Sequence, residues 1–596
     1  MRKISKSMFV VAGLVALHGC SAPSPSTPST KNYSSPATGP VAANPPSGDS
    51  KPVVSGPSTS KGGETFLAQV KYSSVLRAIQ NDALSISPGD QPKTRYFTLH
   101  TASNAGLGSK SLDVQRVAFN KALNSMSTKS ALVLPTAIDA DKVVYRVNLD
   151  DLNLDAATFD QIMTEHYPFS SSFVDVGDAE SITNQQIDAT NKGLLKTNNY
   201  VIRMDWFTAT ATLPILYAKM MQFPENLSDF EEQVIGNRVS VASIAAINPA
   251  AAAKIDNAIT VVEGGVRKVD RRIANIVQDQ VIRTGFDNSN VSNSNRIVEH
   301  HTISDGSYWI SYDFLNLKAG DQFTNFQGIL KNAEQIDLDE HNINKSPLGP
   351  KGTNGASLEF SHDGGEVIYS LPNGLFGYYL INAVGTLLDK GPIQVVRQSG
   401  GPIEFGTAIT NGMSCMSCHN LGLLKQSDSI LVGIGQNKAN IAASDLARIN
   451  KIYNPTQLNN IIDKENVRYV AALKELGIDA TKPDPVDAAY RFYNRPLTKK
   501  DVIAELDISD RDFQTLLVDP GFNGVFNPLN NETGFINRGV FQAIYPSVVA
   551  KFKQDIELAV PAQADFVVTT DCMILDIFQM DACTIVPTQL NLRPIK

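Results

Sequence analysis

Glu366-Val367-Ile368-Tyr369-Ser370-Leu371, Pro372-Asn373-Gly374, then Leu375-Phe376-Gly377-Tyr378-Tyr379-Leu380-Ile381-Asn382-Ala383 reads as strand, turn, strand. β-Branched and aromatic residues fill the two arms, and a Pro-Asn-Gly cluster separates them, so a hairpin is expected between Glu366 and Asp389. Upstream, Thr94 to His100 and Val143 to Leu149 alternate apolar with polar residues as half-buried strands do. Between them Ser111 is expected to cap a helix whose Val114, Val117, Ala118 and Ala122 share a face. Tyr200 to Phe207 leads into a helix that ends near Pro224, and an Ala-rich helical region is expected from about Glu231 to Ile282. Beyond the hairpin the chain is expected to be mainly helical, in segments Pro455–Leu476, Pro485–Tyr493 and Lys499–Leu517. The expected class is α+β and multidomain: an α/β N-terminal region over 64–295, a hairpin-containing region over 296–440 and a mainly helical C-terminal region over 441–596.

About thirty residues after the hairpin stands Cys415-Met416-Ser417-Cys418-His419. Two thiols three positions apart, followed at once by an imidazole, form the attachment signature of a c-type haem. The thiols of Cys415 and Cys418 suit addition to the two vinyl groups, and His419 suits the proximal iron position. Zinc is a poorer reading, because structural zinc wants four ligands and no second Cys pair or His-rich tract stands nearby. A thioredoxin-like dithiol expects a strand-turn-helix setting, whereas Gly400-Gly401-Pro402 and Thr410-Asn411-Gly412 read as loop, and a plain disulfide is the other alternative. The motif consumes two of only five cysteines and one of eight histidines.

The N-terminus is consistent with an exported haem protein. Arg2, Lys3 and Lys6 precede the apolar run Met8 to Leu17, and Leu17-His18-Gly19-Cys20 is similar to the lipobox of bacterial lipoproteins. Residues 1–20 are therefore read as a signal peptide and Cys20 as the lipidated residue, with Ser21 after it similar to lipoproteins of the outer membrane. Residues 21–63 are dense in Ser, Pro, Thr and Gly and read as an unfolded tether that could span on the order of 100 Å. No later segment offers 18 uninterrupted apolar residues, so the body is expected to be anchored, facing the periplasm or the cell surface, and not spanning. A net charge of −8 with 19% charged residues argues against nucleic acid and leaves a redox protein as the expected partner. In an exported chain Cys572 and Cys583 are expected to pair as a disulfide.

The run His362-Asp363-Gly364-Gly365-Glu366 onward to Tyr379, followed by Asn411-Gly412-Met413-Ser414-Cys415-Met416-Ser417-Cys418-His419-Asn420, resembles a family of large exported bacterial cytochrome c domain-containing proteins. Asn148-Leu149-Asp150-Asp151-Leu152, Arg203-Met204-Asp205-Trp206-Phe207, Asn295 to His300 and Ser307 to Phe314 are similar to stretches of that family in the same order. The resemblance runs from about Tyr96 to about Phe552. It implies one c-haem in a large periplasmic or surface protein and leaves the substrate undefined.

The sixth iron position separates the functions. Electron-transfer haems are usually closed by Met or a second His, whereas catalytic or sensing haems leave that side open. Met413 and Met416 lie too close to the attachment turn to reach the opposite face, and no Met follows until Met573. His362 is the first distal candidate, then His300 and His301, then Met573 and Met580. The leading expectation is a lipid-anchored mono-haem electron carrier and not an enzyme. The alternatives are a peroxidase-like enzyme with Glu366 or His362 as acid-base group, a small-ligand sensor, and a surface binding protein with a structural haem.

Overall fold

In the computed structural model, residues 59–60 and 64–552 are described, apart from 171–178, 254, 256, 258–259, 288–294, 315–361, 393–407, 426, 437 and 439–442. Cys20, Cys572, Cys583, Met573 and Met580 lie outside the described residues.

The α/β beginning is a four-stranded sheet. Its strands are β1 (Thr94–Thr98), β2 (Thr136–Ala137), β3 (Val144–Asn148) and β4 (Val201–Arg203), in the order β2-β3-β1-β4, with β1 and β4 parallel. After β1 come a short helix, His100–Asn104, and a longer one, Ser109–Asn124, so Ser111 lies inside the latter. Its buried face carries Leu112, Ala118, Phe119 and Ala122, which turns Val114 outward at 42% exposure. The expected face was thus rotated, because Leu112 and Phe119 have more apolar area to bury than Val114.

The Ala-rich region departs further from expectation. It contains β5 (Val239–Ser240), β6 (Val261–Glu263) and β7 (Val266–Val269), in a sheet ordered β5-β7-β6. The hairpin β6–β7 turns through Gly264 and Gly265, both at positive φ, the geometry that tight two-residue turns need. Helices occupy only parts of this stretch, at Leu227–Val234, Val241–Ile247, Pro249–Ala252 and Arg271–Val277.

A five-stranded antiparallel meander forms the centre: β8 (Ile282–Phe286), β9 (Arg296–Ile303), β10 (Gly306–Asp313), β11 (Gly364–Ser370) and β12 (Phe376–Asn382), neighbouring in that order. β11 and β12 are the expected hairpin, paired from Gly364 opposite Asn382 to Ser370 opposite Phe376. β8 precedes position 296 and β9 begins at it, so the sheet draws strands from both sides of that position.

The C-terminal part is helical, with Pro455–Glu475, Pro485–Asn494 and Arg538–Phe552 as main elements. The stretch expected as one segment from Lys499 is two helices, Lys499–Leu506 and Asp510–Val518. The break falls at Asp507, whose φ is positive, and Ser509 with Asp512 recaps the chain in a capping box. These helices pack back on the N-terminal sheet: Pro485–Asn494 lies on Ser109–Asn124 and on Met204–Thr210. Buried ion pairs join the two ends of the chain, Arg203 Nη1 to Glu505 Oε2 at 2.5 Å, Arg538 Nη1 to the same oxygen at 2.6 Å, and Lys121 to Asp484. The described residues form one compact unit, and the fold is α+β. Among the described residues no helix is long and apolar enough to cross a membrane.

Candidate functional site

Alternation along the meander places Phe286, Arg296, Val298, Trp309, Ser311, Glu366 and Ile368 on one face, as the pairings Phe286 with Arg296, Val298 with Ser311 and Trp309 with Ile368 require. These residues form one wall of a cleft. The other wall is Ile409, the segment Ser414–Leu424 through Cys415, Cys418, His419 and Leu423, and Ile462 from the helix Pro455–Glu475. The cleft encloses about 860 Å³ of empty space counted out to its open mouth.

The two cysteines lie on a helical turn that begins just after Thr410-Asn411-Gly412. Met413–Cys418 is a short helix whose N-cap is Gly412. Gly412 has φ +80°, and a Cβ there would lie 2.5 Å from the Thr212 carbonyl oxygen, so only glycine lets the helix start this close to the N-terminal region. Ser414 Oγ accepts from the Thr410 N–H at 2.9 Å and secures the first turn. Met413 packs with Ala118, Ala122, Val486 and Ala489, away from the cleft.

This short helix brings both cysteines to the cleft as unlinked thiols, Cys415 buried and Cys418 partly exposed. Burial, and after it the Glu366 carboxylate, pushes both thiols up, Cys418 to about 11. A nucleophilic pair needs the opposite shift, toward thiolate. Glu366 also lies 3.7 Å from Arg296, whose guanidinium forks onto Asp313 at 2.5 and 3.0 Å.

His419 is the helix C-cap. Its Nδ1 lies 3.1 Å from the Gly422 carbonyl oxygen, an acceptor only, so Nδ1 carries a proton, and in the neutral ring Nε2 is the nitrogen with the lone pair. That is the state in which an imidazole binds a metal, with its second nitrogen donated to an orienting carbonyl.

These residues fit a c-type haem. Two unlinked thiols and an imidazole converge on apolar walls. Trp309, which lines the cleft, has its indole N–H buried with no hydrogen-bond partner. Together with Arg296 it offers donors suited to carboxylate side groups of a bound cofactor.

Cys415, Cys418 and His419 therefore come together as the sequence reading expected. His362 is not among the cleft-lining residues; it stands just before β11 and meets the Tyr312 ring edge-on at 5.1 Å. His300 faces the cleft side of β9, 4.5 Å from the Trp309 ring, with Nε2 at 3.0 Å from Ser307 Oγ. His301 faces the other side and bonds Glu299 at 2.7 Å. Among the described lining residues, His419 is the one histidine, and no methionine is present. Arg296 and Trp309 were missed as site residues, and the signal available was their period-2 spacing from Val298 and Ser311 on strands not recognised as such. Compared with family models, with curated proteins and with solved structures, the chain matches none.

Proposed function

We propose that this protein is a lipid-anchored mono-haem c-type cytochrome that passes electrons to or from a redox partner protein. The observation that carries the reading is the convergence of Cys415, Cys418 and an Nδ1-protonated His419 on one apolar cleft. When bound, the haem supplies one-electron iron redox chemistry. Cys415 and Cys418 anchor it as thioethers, and His419 Nε2 holds the iron. Trp309 and Arg296 would offer donors to its carboxylates, and Phe286, Val298, Ile368 and Leu423 would exclude water. Export on the signal peptide, lipidation at Cys20 and an outer-membrane anchor facing the periplasm or the surface complete the proposal.

A second reading, a ligand-exchanging haem enzyme or sensor, is favoured by the lack of any other histidine or methionine among the described lining residues. The visible spectrum of the purified mature protein, made in a host that matures c-haem, tests both. Covalent haem whose reduced spectrum ignores carbon monoxide is expected for the electron carrier. A shift on adding the gas favours the second reading, and absence of covalent haem overturns both.

A further inference from the structure

We infer that Asn466 is a positioning residue for His419, acting through a single peptide plane; the inference rests on the haem reading above. Asn466 projects from the helix Pro455–Glu475, one turn beyond Ile462, which lines the cleft. Its Oδ1 accepts the Leu423 N–H at 2.7 Å, and its Nδ2 donates to the Leu423 carbonyl at 2.9 Å. The Leu423 N–H and the Gly422 C=O belong to the same planar trans peptide, so they point in opposite directions. Fixing the N–H on Asn466 therefore aims the Gly422 carbonyl away from the helix, and the group it meets is His419 Nδ1–H at 3.1 Å. The Gly422 N–H closes the turn from the other side by donating to the His419 carbonyl at 2.9 Å.

Gly422 has φ +103°, and a Cβ on it would come 2.2 Å from Asn466 Oδ1, so the close approach of the two residues is built in. The result is a polarised series, Asn466 Oδ1 to peptide to imidazole, in which each hydrogen bond strengthens the next. A carbonyl held on Nδ1–H raises the basicity of Nε2 and favours ferric iron.

Redox titration of haem-loaded Asn466→Ala is expected to show a higher midpoint potential than wild type. At the wild-type midpoint, reduced protein should exceed oxidised by about tenfold, or ~59 mV for one electron. Asn466→Asp keeps an acceptor for the Leu423 N–H and loses the donor, so it should restore most of the wild-type potential even where it costs stability. The His419 Nδ1–H proton of the reduced protein should exchange with solvent faster in Asn466→Ala than in wild type and recover its protection in Asn466→Asp. A loss of thermal stability in Asn466→Ala with potential and proton exchange unchanged overturns the inference and leaves the haem reading intact. Wild-type protein without covalent haem overturns the haem reading, and with it the inference.

Discussion

The two faces of the β8–β12 meander are opposites. One carries Phe286, Val298, Trp309 and Ile368 and opens on the cleft. The other carries Arg283, Glu299, His301, Tyr308 and Tyr312, all at 0% exposure, closed over by Glu231 and Arg272 from the helices Leu227–Val234 and Arg271–Val277. On that closed face Glu299 pairs with Arg283 at 2.5 Å, Tyr308 donates to Glu231 at 2.9 Å and Tyr312 to Glu299 at 3.1 Å. Ion pairs link the charged groups there, whereas the cleft face carries Trp309 Nε1, a buried donor without a hydrogen-bond partner. Adjacent residues serve opposite ends, Val298 and Glu299 or His300 and His301, because strand side chains alternate. The difference teaches that one face is scaffold and the other is left for a guest.

The largest effect expected from breaking this division is on the closed face. Glu299→Gln leaves Arg283 and Arg272 buried beside a neutral side chain, a loss of roughly 3–5 kcal/mol by the usual cost of breaking a buried pair. Urea titration of the mutant measures it, and the haem content per folded chain should stay at the wild-type level. A loss under about 1 kcal/mol would show that the network is not the scaffold.

Acid should undo the buried polar groups of the whole fold in stages. Burial pulls His100 and His300 down to about 3 and lowers His301 against the opposing pull of Glu299. The unfolded chain therefore takes up these protons first, and stability falls as pH drops below about 6.5, by up to about 1.4 kcal/mol per pH unit per group. Burial alone would raise Glu299 and Glu505, but Arg283 with His301, and Arg203 with Arg538, outweigh it, leaving Glu299 well below the carboxylate range and Glu505 at about 2. Their contribution is complete above about 4.5 and is lost as pH falls below it. Denaturation midpoints between pH 7.5 and pH 3 should fall in that order, and His300→Gln should flatten the decline between pH 6 and 5. A flat profile down to pH 5 would contradict the neutral burial of the imidazoles.

On the haem reading, cleft-face changes should cost little stability and all of the covalent attachment. Cys415→Ala with Cys418→Ala is expected to abolish covalent haem on a denaturing gel while lowering stability by about 1 kcal/mol, the scale of one buried group of methylene size. The short helix keeps its Gly412 start and the Ser414 bond in that mutant. Unfolding of the double mutant would mean that the thiols belong to the scaffold.

What could be read beforehand follows the same line between faces. β11–β12 was legible because Pro372-Asn373-Gly374 is a local turn signal and both arms are apolar. β9 was not legible as a strand, since Glu299 and His301 look like surface residues until Arg283 of β8 and Arg272 of the preceding helix are folded against them. Gly264-Gly265 was a legible turn, but the alanines around it outweighed it. Cys415, Cys418 and His419 announce themselves by spacing, whereas Asn466 has no signal at all, because its role exists only once its helix lies against Leu423.

The smallest expected effect concerns His362, the first distal candidate by sequence. Its ring meets Tyr312, whose hydroxyl reaches both Glu299 and Arg272 at 3.1 and 3.0 Å on the closed face. Truncating a half-buried imidazole at the end of a strand should change stability by no more than about 0.5 kcal/mol. His362→Ala is therefore expected to leave the reduced spectrum and the carbon monoxide response as in wild type. The converse outcome is the sharper one: loss of a six-coordinate spectrum would put His362 on the iron. The closed face would then send a ligand across the sheet edge, and the separation of scaffold from guest would fail at that edge while holding at Glu299.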